Sequence, residues 1–182
     1  MGKSTSAGIL QKLGVAVIDT DQIARDIVQP AQPALAEIKR EFGERFVDEK
    51  GELLRKELAV EVFRDPAKRA KLEAILHPRI REVWFNAAQK WRTENKSIAA
   101  VIIPLLFETN AQSAFTATIC LACSAGTQIQ RLRQRGWTDN ELQQRIAAQW
   151  PVEKKIAQSD FVIWTDTTIE AHEAQLRHLM ER

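Results

Sequence analysis

Gly2-Lys3-Ser4-Thr5, and after one short helical run Leu13-Gly14-Val15-Ala16-Val17-Ile18-Asp19-Thr20-Asp21, form the stretch on which the fold turns. The first piece opens a helix predicted over residues 4–12 and stopped at Gly14, a residue suited to a helix C-terminus. The second is a short β-branched run over residues 15–18, predicted as a buried strand ending at Asp19. Asp21 is then placed as the N-cap of a helix reaching about residue 28. Helix, strand and helix in that order predict an α/β protein whose strands are joined by crossover helices.

Gly-Lys-Ser-Thr at the head of a helix is the last third of the pattern G-x-x-x-x-G-K-[ST]. Successive backbone N–H groups in such a turn surround phosphate oxygens, and the helix N-terminus adds favourable dipole charge. In that pattern Lys3 reaches the β- and γ-phosphates and the Ser4 hydroxyl sits on Mg²⁺. The tetrapeptide alone reads equally well as a flexible tail with a Ser/Thr helix cap.

Further along, Pro30 and Pro33 break the chain, and Pro33 starts a helix predicted to run to residue 42. Residues 43–51 are a polar connection. Residues 52–92 are helical in pattern, highly charged and free of strand candidates, with Pro66 and His77-Pro78 read as helix junctions. Ile98-Ala99-Ala100-Val101-Ile102-Ile103, stopped by Pro104, has the pattern of a strand buried on both faces. Residues 117–122 and 161–164 complete four strand candidates. Helices are expected over 126–135, 139–149 and 168–180. Parallel sheets place ligands at the carboxyl ends of their strands, where Asp19, Pro104 and the arginines after Ala122 fall.

Composition narrows the function classes. The chain has 182 residues, of which 26 Lys and Arg against 24 Asp and Glu give a net charge of +2. So small a charge argues against a dedicated nucleic-acid binder. The two cysteines exclude a disulfide scaffold. The chain shows neither an apolar leader nor a membrane-spanning run, so the cytoplasm is the expected location and no membrane partner is expected. Nothing in the pattern signals an oligomeric state.

Four further features carry chemistry or its alternative. Asp19 and Asp21 end the first strand, where a carboxylate can orient an attacking hydroxyl in phosphoryl transfer; both can equally serve as helix caps. Arg131, Arg133, Arg135 and Arg145 can offset phosphoryl charge, although such runs are more often a solvated helix face. His77-Pro78 reads by itself as a structural element. Cys120-x-x-Cys123 lacks a second ligand pair for zinc, and its strand spacing sends the two side chains to opposite faces, so both are expected to pack in the core. The five tryptophans form no stacking platform.

Taken in order, the motifs resemble those of the dephospho-CoA kinases. The resemblance takes in Gly2-Lys3-Ser4-Thr5, Leu13 to Asp21, Ile23-Ala24-Arg25, Phe42-Gly43 and Gly51-Glu52-Leu53 with Arg55 and Leu58. It continues through Val62-Phe63, Leu76-His77-Pro78-Arg79-Ile80, Pro104-Leu105-Leu106-Phe107-Glu108, and Gln128 with Arg131 and Arg135. Arg145-Ile146-Ala147-Ala148-Gln149, Lys155 and Asp160 complete it. It implies a three-layer P-loop kinase with a parallel sheet of strand order 2-3-1-4-5. The core would comprise residues 1–51 and 93–182, with a lid over about 136–151 and a helical acceptor-binding insertion over 52–92.

The implied reaction moves the γ-phosphoryl group of ATP to the 3′-hydroxyl of dephospho-CoA, with Mg²⁺, in the last step of coenzyme A synthesis. By resemblance Asp21 is the general base or the group that orients the hydroxyl, with Asp19 beside it, and Lys3 and Arg131 complete the catalytic set. Gly2, Lys3, Ser4, Thr5 and Arg135 would hold ATP, with Ser4 on the metal. Arg25, His77, Pro78, Leu106, Phe107, Glu108, Arg145 and Gln149 would shape the acceptor site. The alternatives are an impaired protein that binds CoA or dephospho-CoA, and a P-loop kinase for another small alcohol or nucleotide.

Against the family pattern, this sequence opens without a first strand and without most of the glycine-rich loop, and Met1 stands where the family has Ser. That strand is central in the family order, so two half-sheets are expected: 15–18 with 98–103, and 117–122 with 161–164. About five buried strand residues contribute roughly 1.5–3 kcal/mol each, against about 5–15 kcal/mol for a whole domain. Weak ATP binding and marginal folding are expected on that count. Ile163-Trp164-Thr165-Asp166 also departs from the family's Asn and Gly near the adenine, and Ala31 replaces a turn glycine.

Overall fold

The structure is a computed structural model that describes residues 2–147 and 149–181, with backbone alone at 140, 141, 144 and 145. The chain divides into two units, Ile18–Val101 and Met1–Val17 with Ile102–Arg182. The strands are β1 (Ala16–Asp19), β2 (Ala99–Ile102), β3 (Ile119–Ala122) and β4 (Phe161–Trp164). β1 pairs with β2, and β3 pairs with β4. These are the two pairings expected from the sequence.

The unit Ile18–Val101 is mostly helical. It holds α2 (Thr20–Asp26), α3 (Pro33–Phe42), α4 (Arg55–Arg64) and α5 (Pro66–Thr93). Proline opens α3, and Ala34, Leu35 and Ile38 on one face are buried; Gly43, at φ 101°, ends it. Asp65 caps α5 by accepting from the Ala67 and Lys68 N–H groups, and Pro66 occupies the first turn, where no amide donor is needed. Val28, Ala34, Ile38, Phe46, Leu58, Val62 and Ile75 form the core of this unit. The unit includes residues 52–92 together with α2 and α3.

The second unit holds α1 (Lys3–Lys12), β3, α6 (Ala125–Arg133), α7 (Asp139–Ala147), α8 (Val152–Gln158), β4 and α9 (Ile169–Met180). β3 and β4 run parallel, with Ile119 opposite Phe161 and Ala122 opposite Trp164. Asp160 fixes the start of the pair by accepting from Thr118 N (2.7 Å) and Oγ1 (2.8 Å). Thr165 N donates to Ala122 O (2.9 Å) at the other end. α9 docks on β4 through Gln175, which bonds both Trp164 N (3.0 Å) and Trp164 O (2.9 Å).

Three expectations change. Asp19, not Asp21, caps α2, because its side chain reaches back to the Asp21 N–H at 2.8 Å. Asp21 lies inside the first turn. His77-Pro78 is no junction: α5 runs through it. The missing Pro78 N–H costs one helical bond, while Arg79 anchors the next turn by donating to Ile75 O (2.6 Å) and pairing with Glu37 (2.5 Å). β2 is not buried on both faces; Ala99 is exposed and only Ile102 is buried, since a two-stranded sheet offers little cover. Cys120 and Cys123 are both buried thiols, packed in the core as expected. α8 falls in a stretch that the pattern left unassigned.

Candidate active site

The candidate residues divide between the two units. In the unit containing α1, Gly2 is the cap residue, at φ 78° and ψ 9°. This left-handed conformation favours glycine. A Cβ there would lie 3.1 Å from Thr165 Cγ2 and 3.4 Å from His172 Cε1. Gly2 brings no side chain to the first amides of α1, and no acidic residue lies in that turn. The end of the helix is therefore electropositive and uncompensated by its own residues. Lys3 is half-buried, and Ser4 and Thr5 are exposed on this turn.

The arginine run separates into distinct roles. Arg131 donates to Thr165 Oγ1 (3.0 Å) and, by a short bond, to Thr165 O. Thr165 Oγ1 in turn donates to Ala122 O at 3.1 Å. Arg131 and Gly2 thus share Thr165 as a common floor. Arg133 pairs with Asp139 at 3.0 Å across an exposed surface. Arg135 is exposed beyond the end of α6. The side chain of Arg145, like Ala148 of the same motif, lies outside the described residues.

Pro104 to Glu108 is held from below. Lys155, buried on α8, pairs with Glu108 Oε1 at 2.8 Å and donates to Pro104 O (3.2 Å) and Gln149 Oε1 (3.4 Å). Trp150 N also donates to Glu108 Oε1 at 2.8 Å. The Phe107 and Trp150 rings stack at 6.2 Å with 7° between planes, and Leu106 is half-buried beside them in the sequence. Burial pushes the Glu108 carboxyl up, but hydrogen bonds from Lys155 and the Trp150 amide outweigh it and hold the group below its ordinary value. Glu108 is therefore an anion anchored inside the protein, which fixes the loop on which Leu106 and Phe107 stand. Its Oε2 is buried without a hydrogen-bond partner among the described residues.

In the unit Ile18–Val101, Asp21 stands exposed on the first turn of α2 with Arg25 one turn later on the same face. α2 packs on α5, the helix of His77 and Pro78. Arg55 donates to Arg25 O at 2.8 Å. Burial and then the neighbouring Arg25 charge lower the Arg55 pKa. Arg55 belongs to the motif order of the sequence but had no site role there; its contact with Arg25 is what marks it.

His172 and Thr165 are the residues that the sequence reading missed, because nothing in the local pattern points either at Gly2. The donor set fits Mg²⁺. That ion commonly takes one or two protein oxygens beside substrate phosphates and water, and Ser4 presents an exposed hydroxyl on the phosphate-type turn. No cluster of three His, Cys, Asp or Glu that could form a dedicated metal cage occurs among the described residues.

Several known proteins resemble this chain over most of its length. The dephospho-CoA kinase of Bdellovibrio bacteriovorus is 39% identical over 162 residues, 89% of this chain and 81% of that protein. That of Bacillus anthracis is 35% identical over 182 residues, 100% of this chain and 91% of its own. Among solved structures, the crystal structure of TT1252 from Thermus thermophilus superposes with a TM-score of 0.83 at 29% identity, over 99% of this chain and 91% of that one. Dephospho-CoA kinase from Campylobacter jejuni gives a TM-score of 0.72 at 27% identity, over 99% and 90%. The dephospho-CoA kinase family profile matches residues 1–171. With its α/β fold matching those structures and its sequence aligned over nearly its whole length, the chain belongs to the dephospho-CoA kinase family.

Proposed function

We propose that this protein transfers the γ-phosphoryl group of ATP to the 3′-hydroxyl of dephospho-CoA, in the cytoplasm, where its nucleotide substrate is held. The observation that carries this reading is the Gly2 turn. A left-handed glycine at the head of α1 brings no side chain to cap the first amides, and no acidic residue lies in the turn. Such an end takes an anion, and Lys3 adds a cation beside it. Gly2, Lys3, Ser4 and Thr5 then receive the triphosphate, and Arg131 and Arg135 offset its charge.

The transfer forms a bond from the ribose 3′-oxygen to the γ-phosphorus and breaks the bond from that phosphorus to the β–γ bridging oxygen. ADP leaves, and the hydroxyl proton passes to the Asp21 carboxylate. Asp19 holds the first turn of α2 and so sets where Asp21 stands. When bound at Ser4, Mg²⁺ supplies positive charge to the phosphates. Arg25 and Arg55 supply cationic charge for the anionic groups of the acceptor. His77 and Pro78 on α5, Leu106 and Phe107 on their anchored loop, and Arg145 and Gln149 complete the acceptor surface. Residues 52–92 serve as the acceptor-binding part, and about 136–151 as the lid.

An acceptor panel tests the reading. ADP release from ATP and Mg²⁺ is measured with dephospho-CoA, simple alcohols and nucleosides. The expected result is release that depends on dephospho-CoA, with a product one phosphoryl group heavier by mass spectrometry. Faster release with a simple alcohol or nucleoside overturns the acceptor assignment, and binding of dephospho-CoA without any transfer overturns the catalytic one.

A further inference from the structure

The floor beneath the Gly2 turn contains a buried histidine to which the reaction assigns no role. His172, on the second turn of α9, is 3% exposed. Its Nε2 shares a 2.8 Å hydrogen bond with Ser6 Oγ, itself buried on α1. The Ser6 N–H donates to Gly2 O at 2.8 Å, closing the first turn of the same helix. The ring also approaches the turn from below, with Cε1 3.4 Å from the place a Gly2 Cβ would occupy. One imidazole therefore touches α1 at its cap and one turn into the helix.

Resting on the phosphate-binding reading of this turn, we infer that His172 is a positioning residue for ATP: through Ser6 and Gly2 it holds the head of α1 in the conformation that presents Lys3 and the leading amides to the triphosphate. Three observations support the assignment. α9 has anchors besides His172, because Gln175 bonds β4 at two points and Leu176 is fully buried. The other support of Gly2, Thr165, is fastened to Arg131, so the same floor sets both the turn and a cation of the proposed site. Finally, burial and then the Arg131 charge lower the His172 pKa, which keeps the ring neutral at neutral pH. The ring bonds Ser6 on α1, and the charge of Arg131 on α6 acts on it.

The test compares H172L, S6A and H172Q with the wild type by initial rates in both substrates, by direct ATP titration and by thermal melting. Removing a buried hydrogen bond and leaving its partner unsatisfied is expected to raise the ATP KM and Kd about tenfold in H172L and in S6A. The kcat and the dephospho-CoA KM stay within about twofold. The double variant is expected to be no worse than either single one, because both remove the same contact. H172Q, whose amide can reach Ser6, restores most of the affinity. An unchanged ATP Kd in S6A overturns the inference, and S6A keeps the test decisive if H172L does not fold. So does a uniform rise in both KM values that follows the loss of melting temperature. If the wild type binds ATP but does not phosphorylate dephospho-CoA, the functional reading fails while the ATP titrations still decide the role of His172. A wild type that binds no ATP overturns both.

Discussion

Two helices begin near the start of this chain, and their first turns are built in opposite ways. α1 opens on a left-handed glycine with no acidic residue in its first turn. α2 opens on Asp19, whose carboxylate already accepts the Asp21 amide, and carries Asp21 in the same turn. Both ends have the same partial positive charge from the helix dipole. In α2 its own carboxylates answer that charge; α1 has no acidic residue in its first turn to do so. One end is therefore suited to hold an anion, and the other holds its own carboxylates in place.

The largest effect expected from breaking this contrast is at α2. D21N keeps the size of the side chain and removes its basicity. Turnover should fall about 10²–10⁴-fold, read by initial rates, while ATP affinity stays near that of the wild type. Next is α1. G2A forces a Cβ onto a backbone at φ 78° and within 3.1 Å of Thr165 Cγ2. A left-handed non-glycine residue costs about 1–2 kcal/mol, so ATP affinity should weaken about tenfold or more in a calorimetric titration.

The smallest effect concerns pH. His172, under α1, has a pKa lowered chiefly by burial, so the unfolded chain takes up its proton first, near the ordinary value of about 6.5. Folding stability from this group is complete above that value and is lost as pH falls through it toward the lower folded value. The melting temperature should therefore drop as pH is lowered from 7 to 5.5, and H172L should flatten that part of the profile. A wild-type melting temperature that rises over the same interval contradicts the assignment.

How much of this is visible in the sequence depends on how far apart the interacting residues are. α3 was legible because proline, a buried stripe and glycine all lie within one short segment. The four strands were legible as apolar runs, and their two pairings followed from the family order. Lys3, Ser4, Asp19 and Asp21 were legible as parts of local motifs. The floor of the α1 turn was not. Ser6 and His172 are 166 positions apart, and a single histidine on an amphipathic helix looks like any other buried polar residue. The same holds for Lys155, which reads as one of several lysines in a charged segment until Glu108 is seen at 2.8 Å. The Asp19 cap was misplaced onto Asp21 because either aspartate suits a helix start, and only backbone geometry decides between them. Thr165, at a departure from the family pattern, acquires a meaning only through Gly2 and Arg131.

The most direct measurement of the central claim is ATP affinity and turnover with dephospho-CoA, taken together on the wild type, D21N and G2A. The account predicts a crossed pattern: D21N binds ATP like the wild type and loses turnover, whereas G2A loses ATP affinity. D21N with near-normal turnover, or G2A with undiminished ATP affinity, would contradict it.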